Sequence, residues 1–227
     1  MATLGQLQAA VSGLLAAAGA TGALHLNSNT RERAFEAYVF ALVVTAALRA
    51  GATVEIRGIN SGPNPNPLVF RGGPGRLGST GSDYAYALCN LNNKAFEVHV
   101  DVEYRGSSGA VHELDVSVLD ATHADDIRAA PALLPSTRHL RCALECKFYD
   151  STLGVSLGRA FVGLVSDCGR LKSAAFVTNG SNAGLAQFLT AKANVETFFS
   201  ATPLSPPVEE RVLNVLEQAL RKWAKTP

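Results

Sequence analysis

Three residues of this chain have the types and spacing to hold a divalent cation against a phosphate. Over 112–119, strand alternation puts Leu114, Val116 and Val118 on one face and Glu113, Asp115 and Ser117 on the other. Over 140–149, Cys142, Leu144, Cys146 and Phe148 form the apolar face, with Ala143, Glu145, Lys147 and Tyr149 opposite. Two carboxylates and an ammonium on strands of one sheet suit a hard cation, because Mg²⁺ takes one or two carboxylates together with waters and phosphate oxygens. The carbonyl of Cys146 would add a further oxygen ligand. Lys147, two residues from Glu145 on the same face, would orient or deprotonate an attacking water and stabilise charge on phosphorus, while the metal polarises the scissile phosphate.

Regular elements must deliver these groups. An apolar-periodic run predicts a helix over 30–50, opened by Asn29 with Glu32 in the form of a capping box and stopped by Gly51. A strand over 53–57 precedes a long stretch, 58–82, crowded with Gly, Pro, Asn and Ser, which reads as a flexible flap. Period-two alternation then predicts a meander of strands over 84–91, 96–104 and 110–119, with Phe96, Val98, Val100, Val102 and Tyr104 buried and Glu97, His99, Asp101 and Glu103 wet. With 105–109 as the hairpin loop, Tyr104 would face Ala110, Asp101 would face Glu113, and His99 would face Asp115, near the metal. Carboxylates crowded at Asp101, Glu113 and Asp115 would repel one another without a cation, so the arrangement is either a site or a solvated face. Segment 120–137 holds one short helix, followed by a strand over 139–149, a helix over 153–168, a strand over 173–178 and a helix over 183–193. Amphipathic helices are expected at both ends, over 1–26 and over 207–224.

Asp115, followed thirty residues later by Glu145, Cys146 and Lys147, resembles the D…(D/E)-x-K signature of the PD-(D/E)xK nuclease superfamily, with its restriction-endonuclease-like fold. The order helix, meander, Glu145–Lys147 strand, helix, strand is similar to that family's α-β-β-β-α-β core and covers about 30–180, with the two terminal helices as additions to a single domain of 1–227. Leu114 stands where the family has proline, and the separation of Asp115 from Glu145 is longer than usual. The resemblance implies an α/β fold with a mixed, largely antiparallel sheet flanked by helices. It implies a Mg²⁺- or Mn²⁺-dependent endonuclease acting on DNA, with Asp115 and Glu145 as metal ligands and Lys147 as the water-orienting group. An acid on the first core helix would be a third ligand; Glu36 is similar to it, with Glu32 one turn earlier as the substitute. Restriction, phage defence and DNA repair are the family's usual settings, which leaves a larger defence or repair complex open as a partner, and double-strand cutting with one site per chain favours a homodimer. Two other readings stay open: a catalytically inactive module of the same fold that binds nucleic acid or a protein partner, and a metal-dependent ribonuclease.

Composition narrows the field. The chain has 227 residues, 47% of them hydrophobic and 17% charged, enough for a large core and too apolar for disorder. Its 20 basic residues nearly balance 19 acidic ones, so no whole-molecule field steers it to a polyanion. Phosphate contacts would come from a local patch: Arg71 and Arg76 on the long loop and Arg159 on the helix after the lysine strand. Four cysteines without C-x-x-C spacing read as reduced thiols in a cytoplasmic protein. Zinc through His139, Cys142 and Cys146 is the weaker alternative, since thiols on an apolar strand face are usually packing residues. The Gly-rich stretch contains no G-K-[ST] sequence, and no segment reads as a secretory signal or a membrane span.

Overall fold

The computed structural model describes residues 1–151, 153–169, 171–192 and 195–226. In chain order the elements are α1 (Leu4–Ala16), β1 (Leu24–Leu26), α2 (Arg31–Ala50), β2 (Thr53–Gly58), β3 (Gly62–Pro63), β4 (Leu68–Phe70), β5 (Ala85–Leu91), β6 (Lys94–Arg105), β7 (Val111–Asp120), α3 (Ala121–Ala129), β8 (Leu140–Lys147), α4 (Val155–Cys168), β9 (Ser173–Thr178), α5 (Ala183–Thr190), β10 (Glu196–Phe198) and α6 (Pro206–Ala224). Eight strands form one mixed sheet in the order β10-β9-β8-β7-β6-β5-β2-β3. Pairing is antiparallel from β3 through β8, and parallel from β8 through β9 to β10. A separate parallel pair joins β1 to β4. Helices cover both faces, which makes the molecule an α/β protein: α1, α2 and α6 share one core with the sheet, and α3, α4 and α5 pack on the opposite face. Among the described residues no helix is long and apolar enough to cross a membrane.

The central helix is α2. Thr30, not Asn29, caps it: its hydroxyl accepts from the Arg33 amide at 3.3 Å, and Gly51 closes it in the left-handed conformation at φ 98°. The expected box fails because the chain enters the helix one residue later, which makes Arg33 the third helical residue and leaves Glu32 exposed. Packed between the sheet, α1 and α6, α2 buries every residue from Ala34 to Val44, Glu36 included. Glu36 therefore faces the protein interior, not water. The first helix is also shorter than 1–26, ending at Ala16; Gly19 turns the chain at φ 79°, and Leu24–Leu26 become β1. The helix predicted over 183–193 ends at Thr190, and Ala193 lies outside the described residues.

Two further expectations are corrected. Phe96, Val98 and Val100 do face the α2 core, but Val102 and Tyr104 belong to the opposite face with Ala124 and Ile127 of α3. On β7, likewise, Val116 and Val118 face α2 while Leu114 joins the opposite cluster. The change of face falls at Asp101, which has φ 50°, a backbone region uncommon for residues other than glycine, though Asp tolerates it better than most. The polar face of β6 is not wet: Glu97, His99 and Asp101 are all buried. Arg128 of α3 reaches the Glu97 carboxylate with two hydrogen bonds of 2.6 and 2.8 Å, and His99 Nε2 pairs with it at 2.8 Å.

Nor is 58–82 a free flap. Beyond Val98, β6 outruns β5, and the loop covers its open edge: the Gly75 amide donates to Asp101 O at 3.0 Å, and the Glu103 amide donates to Gly75 O at 3.0 Å. Leu77 is fully buried beneath it. A strand edge with unsatisfied amides and carbonyls explains why this glycine-rich stretch docks.

Replacing Arg128 with Met leaves the buried Glu97 carboxylate without its bidentate partner, and the expected loss is about 3 kcal/mol of stability. Urea unfolding checks this, with the double variant E97Q/R128M predicted to recover part of the loss.

Candidate metal centre

The site forms where regular pairing gives way. On one side, β6 and β7 pair Val102 with Leu114 and Val100 with Val116, so Asp101 and Asp115 stand between those pairs, side by side. This corrects the expected register by two residues. Arg105 still pairs with Val111, so the hairpin loop is 106–110, closed by the Gly106 amide on Ala110 O at 2.8 Å. A shift of two keeps each side chain's face but exchanges its neighbour. Asp101 thus takes the place expected for His99, which lies opposite Ser117, paired with Glu97 and stacked on the Tyr86 ring at 5.4 Å.

On the other side, the β7–β8 ladder runs no further than Val116 with Leu144. The Asp115 carboxylate takes over as acceptor: Oδ2 receives the Cys146 amide at 2.7 Å and Lys147 Nζ at 3.1 Å. Lys147 Nζ also lies 2.7 Å from Glu145 Oε1, so the ammonium bridges both acids named from the sequence. The observed contact of Cys146 is this amide donation, and its thiol is buried in the core.

From above the sheet, α2 supplies Glu36. One carboxylate oxygen each from Glu36, Asp101 and Asp115 lies within 4.8 Å of the others, and all three residues are buried. Among the described residues this is the only such grouping of potential metal ligands. Glu145 stands outside it, held at the flank through Lys147. Glu32 is exposed and Glu113 half-buried. The zinc alternative does not assemble: His139 stacks on His123 at 3.8 Å, while Cys142 and Cys146 sit in the core under α2.

Arg33, one turn before Glu36, completes the site. Its Nη1 donates to the two oxygens of Glu36 at 3.0 and 2.8 Å and to Asp101 Oδ2 at 3.0 Å. Arg33 and Asp101 are the site residues that spacing did not single out as ligand or counter-ion. The usable signal for Asp101 was a carboxylate in the middle of a strand of valines; for Arg33 it was a helical position three residues from Glu36.

Electrostatics are one-sided, with five carboxylates (Glu36, Asp101, Glu113, Asp115, Glu145) facing three cations, Arg33 and Lys147 in contact and the buried Arg71 acting on Asp101 from farther off. Burial, reinforced by repulsion from Asp101 and Asp115, pushes Glu36 up to about 8. Burial likewise raises Asp101 to about 7 against the pull of Arg33, and Glu145 to about 7 with Asp115 adding to the effect. For Lys147, burial favours the neutral amine, but the charges of Asp115 and Glu145 outweigh it, and the net shift is upward.

The donor set fits a hard divalent cation: three carboxylates, no competing thiol, and a spare acceptor. Asp101 is fully buried, and its Oδ1 has no hydrogen-bond partner, which is costly unless something else occupies that lone pair.

The phosphate-binding arginines separate. Arg71 is buried, with its guanidinium 4.0 Å from the Tyr84 ring centre and Nη2 donating to Arg76 O, so it serves the loop's own packing rather than a surface patch. Arg76 is exposed and donates to Ala132 O at 2.9 Å, and Arg159 is exposed on α4.

No protein-family model, curated protein or solved structure matches this chain.

A pH dependence follows from the raised carboxylates. In the unfolded chain such groups titrate near about 4. Between about 4 and the folded values of about 7 to 8, the native state binds more protons than the unfolded state, so stability falls as pH rises through that window. Metal-free protein should show a melting temperature that declines from pH 5 to pH 8, and Glu36→Gln should flatten the decline. A melting temperature independent of pH over this range would contradict the reading.

Proposed function

We propose that this chain is a metal-dependent nuclease of the PD-(D/E)xK type, hydrolysing phosphodiester bonds in DNA. The observation that carries the reading is the meeting of Asp115 with Glu36 and Asp101 directly beside Lys147. Support also comes from the element order α2, β6 to β8, α4, β9, which parallels the restriction-endonuclease-like core that the sequence resembles.

Asp115, Asp101 and Glu36 would hold Mg²⁺ or Mn²⁺, with Glu145 alongside. When bound, the ion polarises a phosphate oxygen and lowers the pKa of water. The protein's own groups do the rest. Lys147, kept charged by Asp115 and Glu145, acts as a hydrogen-bond donor that orients water and phosphate, not as a base. Glu145 Oε1, at a carboxyl whose pKa lies near 7, is placed beside that ammonium to take a proton. Exposed Arg76 and Arg159 remain the candidate phosphate contacts, and DNA the proposed partner.

One observation favours the alternative of an inactive module of the same fold: Arg33 already partners Glu36 and Asp101 without any metal. Plasmid cleavage separates the two readings. The nuclease reading expects nicking with Mg²⁺ or Mn²⁺ that chelator abolishes, and a loss of at least about 100-fold in Asp115→Asn and Lys147→Met with the fold retained. Nucleic-acid binding without metal-dependent cleavage would support the inactive module instead.

A further inference from the structure

We propose that Arg33 is the resident counter-ion of the acidic cluster and that an incoming divalent cation must displace its guanidinium. The proposal rests on the metal-site reading above and extends it to how the site is controlled. A single nitrogen, Nη1, contacts both oxygens of Glu36 and one oxygen of Asp101. Glu36 thus has no oxygen free of Arg33 to offer a cation shell at about 2.1 Å, and a lone pair engaged by an N–H bond cannot also serve a metal. Like charge adds to the competition, since a guanidinium in contact with two of the three ligands repels any cation among them.

Arg33 does not saturate the cluster. The second oxygen of Asp101 stays buried and unpartnered, and Asp115 is served only from the other side by Cys146 and Lys147. A monovalent, laterally placed group thus fills a site whose charge calls for more. The guanidinium also has a way out. Its side chain is 24% exposed, and it lies against Gly73, where a methyl group would come within 3.9 Å of Nη2. Its backbone is fixed by the Thr30 cap, so only the side chain needs to move. Arg33 therefore holds the acids together in the metal-free protein and sets a threshold cation concentration for occupancy.

The test is Mn²⁺ binding to the full chain by isothermal titration at pH 7, comparing wild type with Arg33→Met. Displacement predicts that Arg33→Met binds Mn²⁺ at least tenfold more tightly. It also predicts that the variant melts lower than wild type without metal and gains more in melting temperature when Mn²⁺ is added. Should Arg33→Met fail to fold, Arg33→Gln carries the same expectation. Wild type that binds Mn²⁺ while both variants bind it equally or more weakly would overturn the displacement proposal and leave the metal site standing. No binding by wild type or by either variant would overturn the metal site itself.

Discussion

The site depends on one substitution of partners: where the β7–β8 ladder ends, a side-chain carboxylate replaces a backbone carbonyl as the acceptor for the Cys146 amide. A buried carboxylate is costly to desolvate unless charge-assisted hydrogen bonds compensate. Asp115 has two on one oxygen, from the Cys146 amide and from Lys147. They fix its orientation, keep Lys147 next to Glu145, and hold the two strands together where main-chain pairing is lost. Everything else in the centre is arranged around that carboxylate.

The neighbouring irregularity acts in the same place. Asp101 is held at positive φ, at a cost of order 1 kcal/mol, by ladder pairs on both sides and by the Gly75 segment bonded along its free edge. In return its carboxylate reaches the underside of α2, where Glu36 and Arg33 meet it. Two strands change face side by side, and a helix buried from Ala34 to Val44 covers them. Repulsion among the acids is carried by Lys147, Arg33 and partial protonation, which links stability, pH and cation binding in one cluster.

Much of this was legible in the sequence. Alternation located β5 to β8, the apolar period located α2 and α4, and the shared face of Glu145 and Lys147 is the one observed. What escaped was non-local. The hairpin register depends on loop geometry, and a two-residue slip leaves the hydrophobic pattern of both strands intact, so periodicity cannot detect it. The change of face at Asp101 keeps valines buried on either side, because helices cover both faces of the sheet; burial there carries no label of direction. Glu36 could be named only through the resemblance, because one-sided amphipathicity is the usual rule for helices and would leave an acid off the apolar stripe in water, whereas α2 is buried on every side from Ala34 to Val44. The glycine-rich loop read as mobile because its anchor, an unpaired strand edge, exists only once the sheet has formed.

Diffraction from crystals soaked in Mn²⁺, recorded near the manganese absorption edge, addresses the cluster most directly. A single anomalous peak bounded by carboxylate oxygens of Asp115, Asp101 and Glu36, with the Arg33 guanidinium withdrawn, is the result this structure leads to. Crystals saturated with Mn²⁺ that show no peak there, with Arg33 still bonded to Glu36 and Asp101, would mean that the cluster is a closed ion-pair network and not a metal centre.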